Sequence, residues 1–180
     1  MLTVETTATL PEAAGRLGAE ARFMAGGTLV MRDANFALPD LSRIVRVAGG
    51  VPGDVRNMGD RLVLGAGLTR NMATIGGNLF APHPYGDFAT ALLALDGRAQ
   101  MVGGGEMALE DLFARRDSLG QIVESVSIIR PQGDSFRFRK MSRVKPKGVS
   151  VMSVAAYLPG APGRVSGARI AFGAMGPTPL

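Results

Sequence analysis

Two glycine pairs constrain this chain more than anything else in it. The first lies in A-G-G-T at 25–28 and the second in I-G-G-N at 75–78. Glycine has no Cβ, so it reaches positive φ without strain and lets another molecule approach the backbone closely. The first pair follows a short apolar run, A-R-F-M-A at 21–25, and precedes L-V-M-R-D-A-N at 29–35, which reads as a helix with Thr28 as its N-cap. Successive backbone N–H groups at such a strand-to-helix corner can point at an anion, helped by the helix N-terminus. Thr28, Thr74 and Asn78 can add side-chain donors. Two such nests converging from different parts of a fold would suit a pyrophosphate. The plain-turn reading stays open, because the chain holds 25 glycines and any one Gly-Gly is common. Neither pair is a G-x-G-x-x-G fingerprint or a phosphate loop ending in Gly-Lys-Ser/Thr.

The side chains exclude much chemistry. There are no cysteines and one histidine in 180 residues. Disulfides, thiolate zinc sites, thiolate-ligated iron–sulfur clusters and multi-histidine metal sites are therefore excluded within this chain. A Ser-His-Asp triad would have to use His83, which reads as a loop residue between Pro82 and Pro84. Any catalysis here would run through a bound cofactor. The first ten residues lack a basic stretch and an apolar core, so no secretory signal is expected and a cytoplasmic protein is.

Formal charge is +5, and the densest basic stretch is F-R-F-R-K-M-S-R-V-K-P-K at 136–147. Phe136 and Phe138 alternate with Arg137 and Arg139, the period of a half-buried strand. A solvated basic face is therefore preferred over a base-stacking platform, and no nucleic acid or membrane is expected as a partner. A nucleic-acid binder is kept as a competing reading because of the charge.

Periodicity predicts a helix at 10–19 and a strand–helix–strand unit over 21–47. Strands follow at 61–67, 98–102 and 122–129. Asp87 to Leu95 and 109–116 read as helices. Strands at 136–143, 149–158 and 167–174 complete the pattern. The whole is α+β. Asp87 reads as a helix N-cap before F-A-T-A-L-L.

Four blocks, taken in order, carry a family resemblance. They are R-F-M-A-G-G-T-L-V-M-R, R-N-M-A-T-I-G-G-N-L-F-A-P-H-P-Y-G-D-F-A-T-A-L-L-A-L-D, F-R-K-M-S-R and A-R-I-A-F-G-A-M-G-P-T-P-L. Together they resemble the FAD-binding middle subunit of the molybdenum hydroxylases, the family of xanthine dehydrogenase, carbon monoxide dehydrogenase and aldehyde oxidoreductases. The resemblance implies a bi-lobed FAD-binding fold of the vanillyl-alcohol-oxidase type. It divides the chain into lobe 1 at 1–48, lobe 2 at 49–133, and a truncated β-rich C-terminal part at 134–180.

The same resemblance implies that Ala25, Gly26, Gly27, Thr28 and Leu29, with Thr74, Ile75, Gly76, Gly77 and Asn78, hold the pyrophosphate of FAD. It places Asp87 near the ribityl chain or ring, and Lys140 near the isoalloxazine, with Arg139 as the alternative if the register slips by one. Tyr85 could shield the flavin or simply pack. The implied activity is that of an oxidoreductase subunit. It would pass electrons from the iron–sulfur clusters of a small subunit through FAD to an acceptor, while a large subunit with the molybdenum cofactor oxidises the substrate. A scaffold of the same family that has lost its flavin is the alternative. A stand-alone flavoenzyme such as a cell-wall sugar reductase is disfavoured by A-P-H-P-Y-G-D and F-R-K-M-S-R.

The chain also departs from the family. Thr69 runs directly into Arg70 where relatives carry a helical segment, and a further helical part beyond G-P-T-P-L is missing. Two expectations follow: apolar surface exposed on the second lobe's sheet unless a partner or repacking covers it, and a C-terminal β layer with no obvious helices over it.

Overall fold

A computed structural model describes residues 2–36, 40–70, 73–116, 118–144, 148–161 and 163–180. Of the stretches singled out above, Asn71, Met72, Lys145, Pro146 and Lys147 lie outside the described residues.

The N-terminal third is a parallel three-stranded sheet with two short helices. Its elements are β1 (Thr3–Thr7), α1 (Leu10–Ala14), β2 (Ala21–Phe23), α2 (Thr28–Asn35) and β3 (Arg43–Val47), with strand order β1-β3-β2. Both outer strands run parallel to β3, as a strand–helix–strand unit demands. Thr9 caps α1 by accepting from the Glu12 amide, and Pro11 sits in its first turn, where its missing N–H costs nothing. Ala13, Ala21, Val45 and Val47 form a small core here, and Ile122 from the middle of the chain completes it.

The middle third contains β4 (Val55–Asn57), β5 (Arg61–Gly65), a short ladder of β6 (Thr69–Arg70) with β7 (Ala73–Thr74), α3 (Ile75–Leu79), α4 (Asp87–Ala94), β8 (Arg98–Met101), β9 (Glu106–Ala108), α5 (Leu109–Arg115) and β10 (Val123–Ile129). Five of the strands make an antiparallel sheet in the order β4-β5-β10-β8-β9. One face carries Leu62, Leu64, Ala99, Val126 and Ile128 into the main core. By the same register the other face carries Arg61, Ser125, Ser127, Arg98 and Gln100, with Val63 and Ile129. The expected apolar surface on this sheet is therefore corrected. Alternation has made that face largely polar, and it needs no covering helix.

The last third is β11 (Phe136–Ser142), β12 (Ser150–Tyr157), a small hairpin of β13 (Gly160–Ala161) with β14 (Arg164–Val165), and β15 (Arg169–Gly173). Strands β11, β12 and β15 form an antiparallel sheet. Its inner face meets α4 through β12 and β15 and turns Phe136, Phe138, Ala155, Tyr157 and Ala171 to the main core, so both phenylalanines of the basic stretch pack against that core. Its outer face shows Arg137, Arg139, Met141, Ile170 and Phe172 to solvent.

Helix α4 therefore lies between two sheets. Ala89, Thr90, Leu92, Leu93 and Ala94 are all buried, the pattern of a helix apolar on every side. Asp96, just past its end, adopts φ +52 and gathers three arginines from three strands. Arg61 donates to its carboxylate at 3.1 Å, Arg169 lies at 3.3 Å and Arg98 at 3.6 Å. Among the described residues no helix is long and apolar enough to cross a membrane.

Candidate functional site

The first glycine loop folds differently from the sequence expectation in one respect. Gly27, not Thr28, is the N-cap of α2, with φ +82 in the left-handed region, and Thr28 is the first helical residue. A side chain at 27 would be strained there, which explains the glycine. Among the described residues, the amides of Gly26 and Gly27 donate to no acceptor. They sit at the N-terminus of an eight-residue helix, so this corner is competent to receive an anion. Ala25 is exposed, Gly26 and Leu29 half-buried.

The second pair is not a nest. Gly76 and Gly77 lie inside the short helix α3, capped by Thr74, whose Oγ1 accepts from the Gly77 amide at 2.9 Å. The Ile75 amide donates to Leu68 O at 3.1 Å and the Gly76 amide to Ala66 O at 2.9 Å. The leading amides are thus used within the fold. What this turn offers is a surface without side chains: Gly76 and Gly77 are half-buried between the buried Ile75 and Leu79. A Cβ on Gly77 would fall 3.0 Å from Thr74 Oγ1.

Asn78 links this turn to α4. Its Oδ1 accepts from the Phe88 amide at 3.3 Å, which satisfies an amide that α4 leaves open. The N-cap of α4 is Gly86 at φ +96, with no side-chain cap. The expectation of Asp87 as N-cap is corrected: it is the first helical residue, and its carboxylate turns instead to the C-terminal sheet. Lys140 Nζ donates to Asp87 Oδ2 at 2.6 Å, and Ser150 Oγ to Oδ1 at 2.5 Å. Charged and short, these are strong bonds. The pair is about one-third exposed on each side, so it is open to a ligand.

Strand parity explains why Lys140 and not Arg139 makes this bond. Residues 136, 138 and 140 share the face that packs on α4, and 139 points away. Arg139 meets no carboxylate among the described residues. Tyr85 is 52% exposed beside the cluster. His83 is tied down, with Nδ1 2.8 Å from Gly176 O.

The structure thus brings Thr74, Ile75, Gly76, Gly77 and Asn78 together with Asp87 and Lys140, and adds Ser150. That serine was missed from the sequence; its only signal was the strand pairing that sets Ser142 opposite it. No hydrogen bond or ion pair among the described residues crosses from 25–29 to this group.

With the geometry in place, known proteins can be set beside it. A chain of carbon monoxide dehydrogenase from Hydrogenophaga pseudoflava superposes with a TM-score of 0.84 at 18% identity, over 99% of this chain and 76% of that one. Reconstituted CO dehydrogenase from Oligotropha carboxidovorans gives 0.85 at 20% identity, over 100% and 77%. Quinoline 2-oxidoreductase from Pseudomonas putida 86 gives 0.81 at 21% identity, over 99% and 76%. The fold is that of these chains. Residues 62–130 match the family described as the FAD binding domain in molybdopterin dehydrogenase. That match spans under half of the chain and agrees with the resemblance read from the sequence; FAD is the cofactor that the family's description names. No curated protein sequence matches the chain.

Proposed function

We propose that this chain is an FAD-binding electron-transfer subunit of a molybdenum-containing hydroxylase or dehydrogenase, with the vanillyl-alcohol-oxidase arrangement of lobes at 1–48 and 49–133 and a third part at 134–180. Its partners would be a small subunit with iron–sulfur clusters and a large subunit with the molybdenum cofactor. The observation that carries the reading is the Asp87–Lys140–Ser150 cluster, built by three separate elements and joined through Asn78 to the Gly76-Gly77 turn.

The residues present fit the cofactor. Gly26 and Gly27 offer amides with no acceptor among the described residues, at a helix N-terminus where the negative charge of a diphosphate is stabilised. Gly76 and Gly77 offer close backbone approach. FAD would supply the redox chemistry, accepting electrons and releasing them to an acceptor. Lys140 places a fixed cation beside the cluster, which favours a ligand whose negative charge grows on reduction. Asp87 holds that ammonium in place, and Ser150 in turn holds the carboxylate. The absence of cysteine fits a chain that relays electrons without holding clusters of its own.

Mass spectrometry of the small molecule released from freshly purified protein tests the reading: FAD is expected. Gly77→Val should remove it while the far-ultraviolet circular dichroism stays unchanged, because the new side chain stands on the approach surface. Flavin retained at the wild-type level in that variant would refute the site. A colourless wild-type protein would instead favour the flavin-free scaffold.

A further inference from the structure

We infer that Arg116 is a positioning residue for Asp87, acting through the loop 81–86 without touching the carboxylate. The role given to Asp87 rests on the flavin reading above; the mechanical coupling does not.

Arg116 follows α5, and its guanidinium forks between two distant pieces of chain. Nη1 donates to Ala81 O and Nη2 to Pro177 O, both at 2.9 Å. Ala81 opens the segment that ends at Asp87, and Pro177 lies in the C-terminal tail. His83 and Gly176 join the same two segments a second time, at 2.8 Å. The tail is itself returned to the sheet, where Phe172 and Leu180 exchange a pair of backbone bonds at 2.8 and 3.0 Å. Strand β15, which contains Phe172, packs on α4. The result is a closed ring: loop 81–86, tail, β15 and α4, with Arg116 as the link between the first two.

Little slack exists inside the loop to absorb a displacement. Ala81 is buried, and the Tyr85 amide donates to Pro82 O at 2.9 Å. Gly86 sits close enough to α3 that a Cβ on it would fall 3.1 Å from Asn78 O. A shift at Ala81 is therefore passed on to the first turn of α4, and so to the Asp87 carboxylate. The planar guanidinium reaches two carbonyls at once; an ammonium is a point charge on a flexible stem and holds one of them well.

The test uses the full chain with Arg116→Ala, Arg116→Gln and Arg116→Lys, the last two retaining bulk if the first folds poorly. Three readouts are taken: amide exchange at Tyr85 and Leu180, FAD affinity by fluorescence titration, and coupling of Arg116→Gln to Asp87→Asn in unfolding. Exchange at both amides should rise about tenfold and FAD affinity should fall by a similar factor. Lysine should recover less than half of either effect on a logarithmic scale. Faster exchange with unchanged FAD affinity would reduce Arg116 to a structural clasp and overturn the inference. Unchanged exchange would overturn it as well. Should the wild-type chain bind no FAD, the flavin reading fails by itself. The double-mutant cycle then decides the coupling: non-additive effects support it, and additive ones overturn it.

Discussion

The same dipeptide serves two different ends in the two halves of this molecule. Gly26-Gly27 leads into α2, a helix with no buried residue, and its amides meet no acceptor among the described residues. Gly76-Gly77 lies within α3, pinned by Ile75 and Leu79 at 4% and 0% exposure, with its leading amides consumed by the fold. The first corner is free to respond to a ligand's charge. The second is a rigid floor whose contribution is the absence of side chains. A glycine pair in a sequence thus marks backbone bare of side chains in both cases, but amides without an acceptor among the described residues in only one.

That contrast can be broken first by truncating each half's helix. Leu92→Ala in α4 removes a side chain that is 1% exposed and should cost about 3 kcal/mol of unfolding free energy. Met31→Ala in α2, at 45% exposure, should stay within about 0.5 kcal/mol. Denaturant titration measures both, and similar losses would erase the distinction drawn here. Thr74→Ala sharpens it further. Loss of the cap to the Gly77 amide should cost about 1 kcal/mol and loosen α3 in particular. Lys140→Ala should have the smallest effect on stability, at most about 1 kcal/mol, since the pair is partly solvated. Its effect belongs to the flavin: the midpoint potential should fall while FAD affinity changes less. An unmoved potential in a spectroelectrochemical titration would remove Lys140 from that role.

Much of the fold was legible because its core elements follow their periods. Strand β3 ends at 47, where the predicted strand–helix–strand unit ends, and β10, β11 and β12 lie within a residue of their predicted bounds. Strand β1 left no such mark. T-V-E-T-T is polar on both faces, and it becomes a strand by pairing with β3. Helix α3 was hidden by its own composition, since two glycines oppose helix by about 1 kcal/mol each. The cap from Thr74 and the burial of Ile75 and Leu79 override them. In the site, Asp87 and Lys140 lie 53 residues apart, and no local pattern joins them. The family resemblance named Lys140 and kept Arg139 as the alternative; the register of β11, which puts 136, 138 and 140 on one face, is what gives Lys140 the bond to Asp87. Nothing in R-R-D-S marks Arg116 for its part; only the tertiary path of the tail does.

Asp96 has a wider consequence. One carboxylate gathers guanidinium groups from β5, β8 and β15, with Glu106 and Glu110 beside the last two, so the middle and final thirds share an ion-pair network as well as a hydrophobic interior. Losing the middle third would strand Arg169 without Asp96 and Glu110, and losing the final third would uncover the side of α4 that packs on β12 and β15. Heat should therefore take these two parts apart in a single step, and a protease should find no stable fragment ending between them.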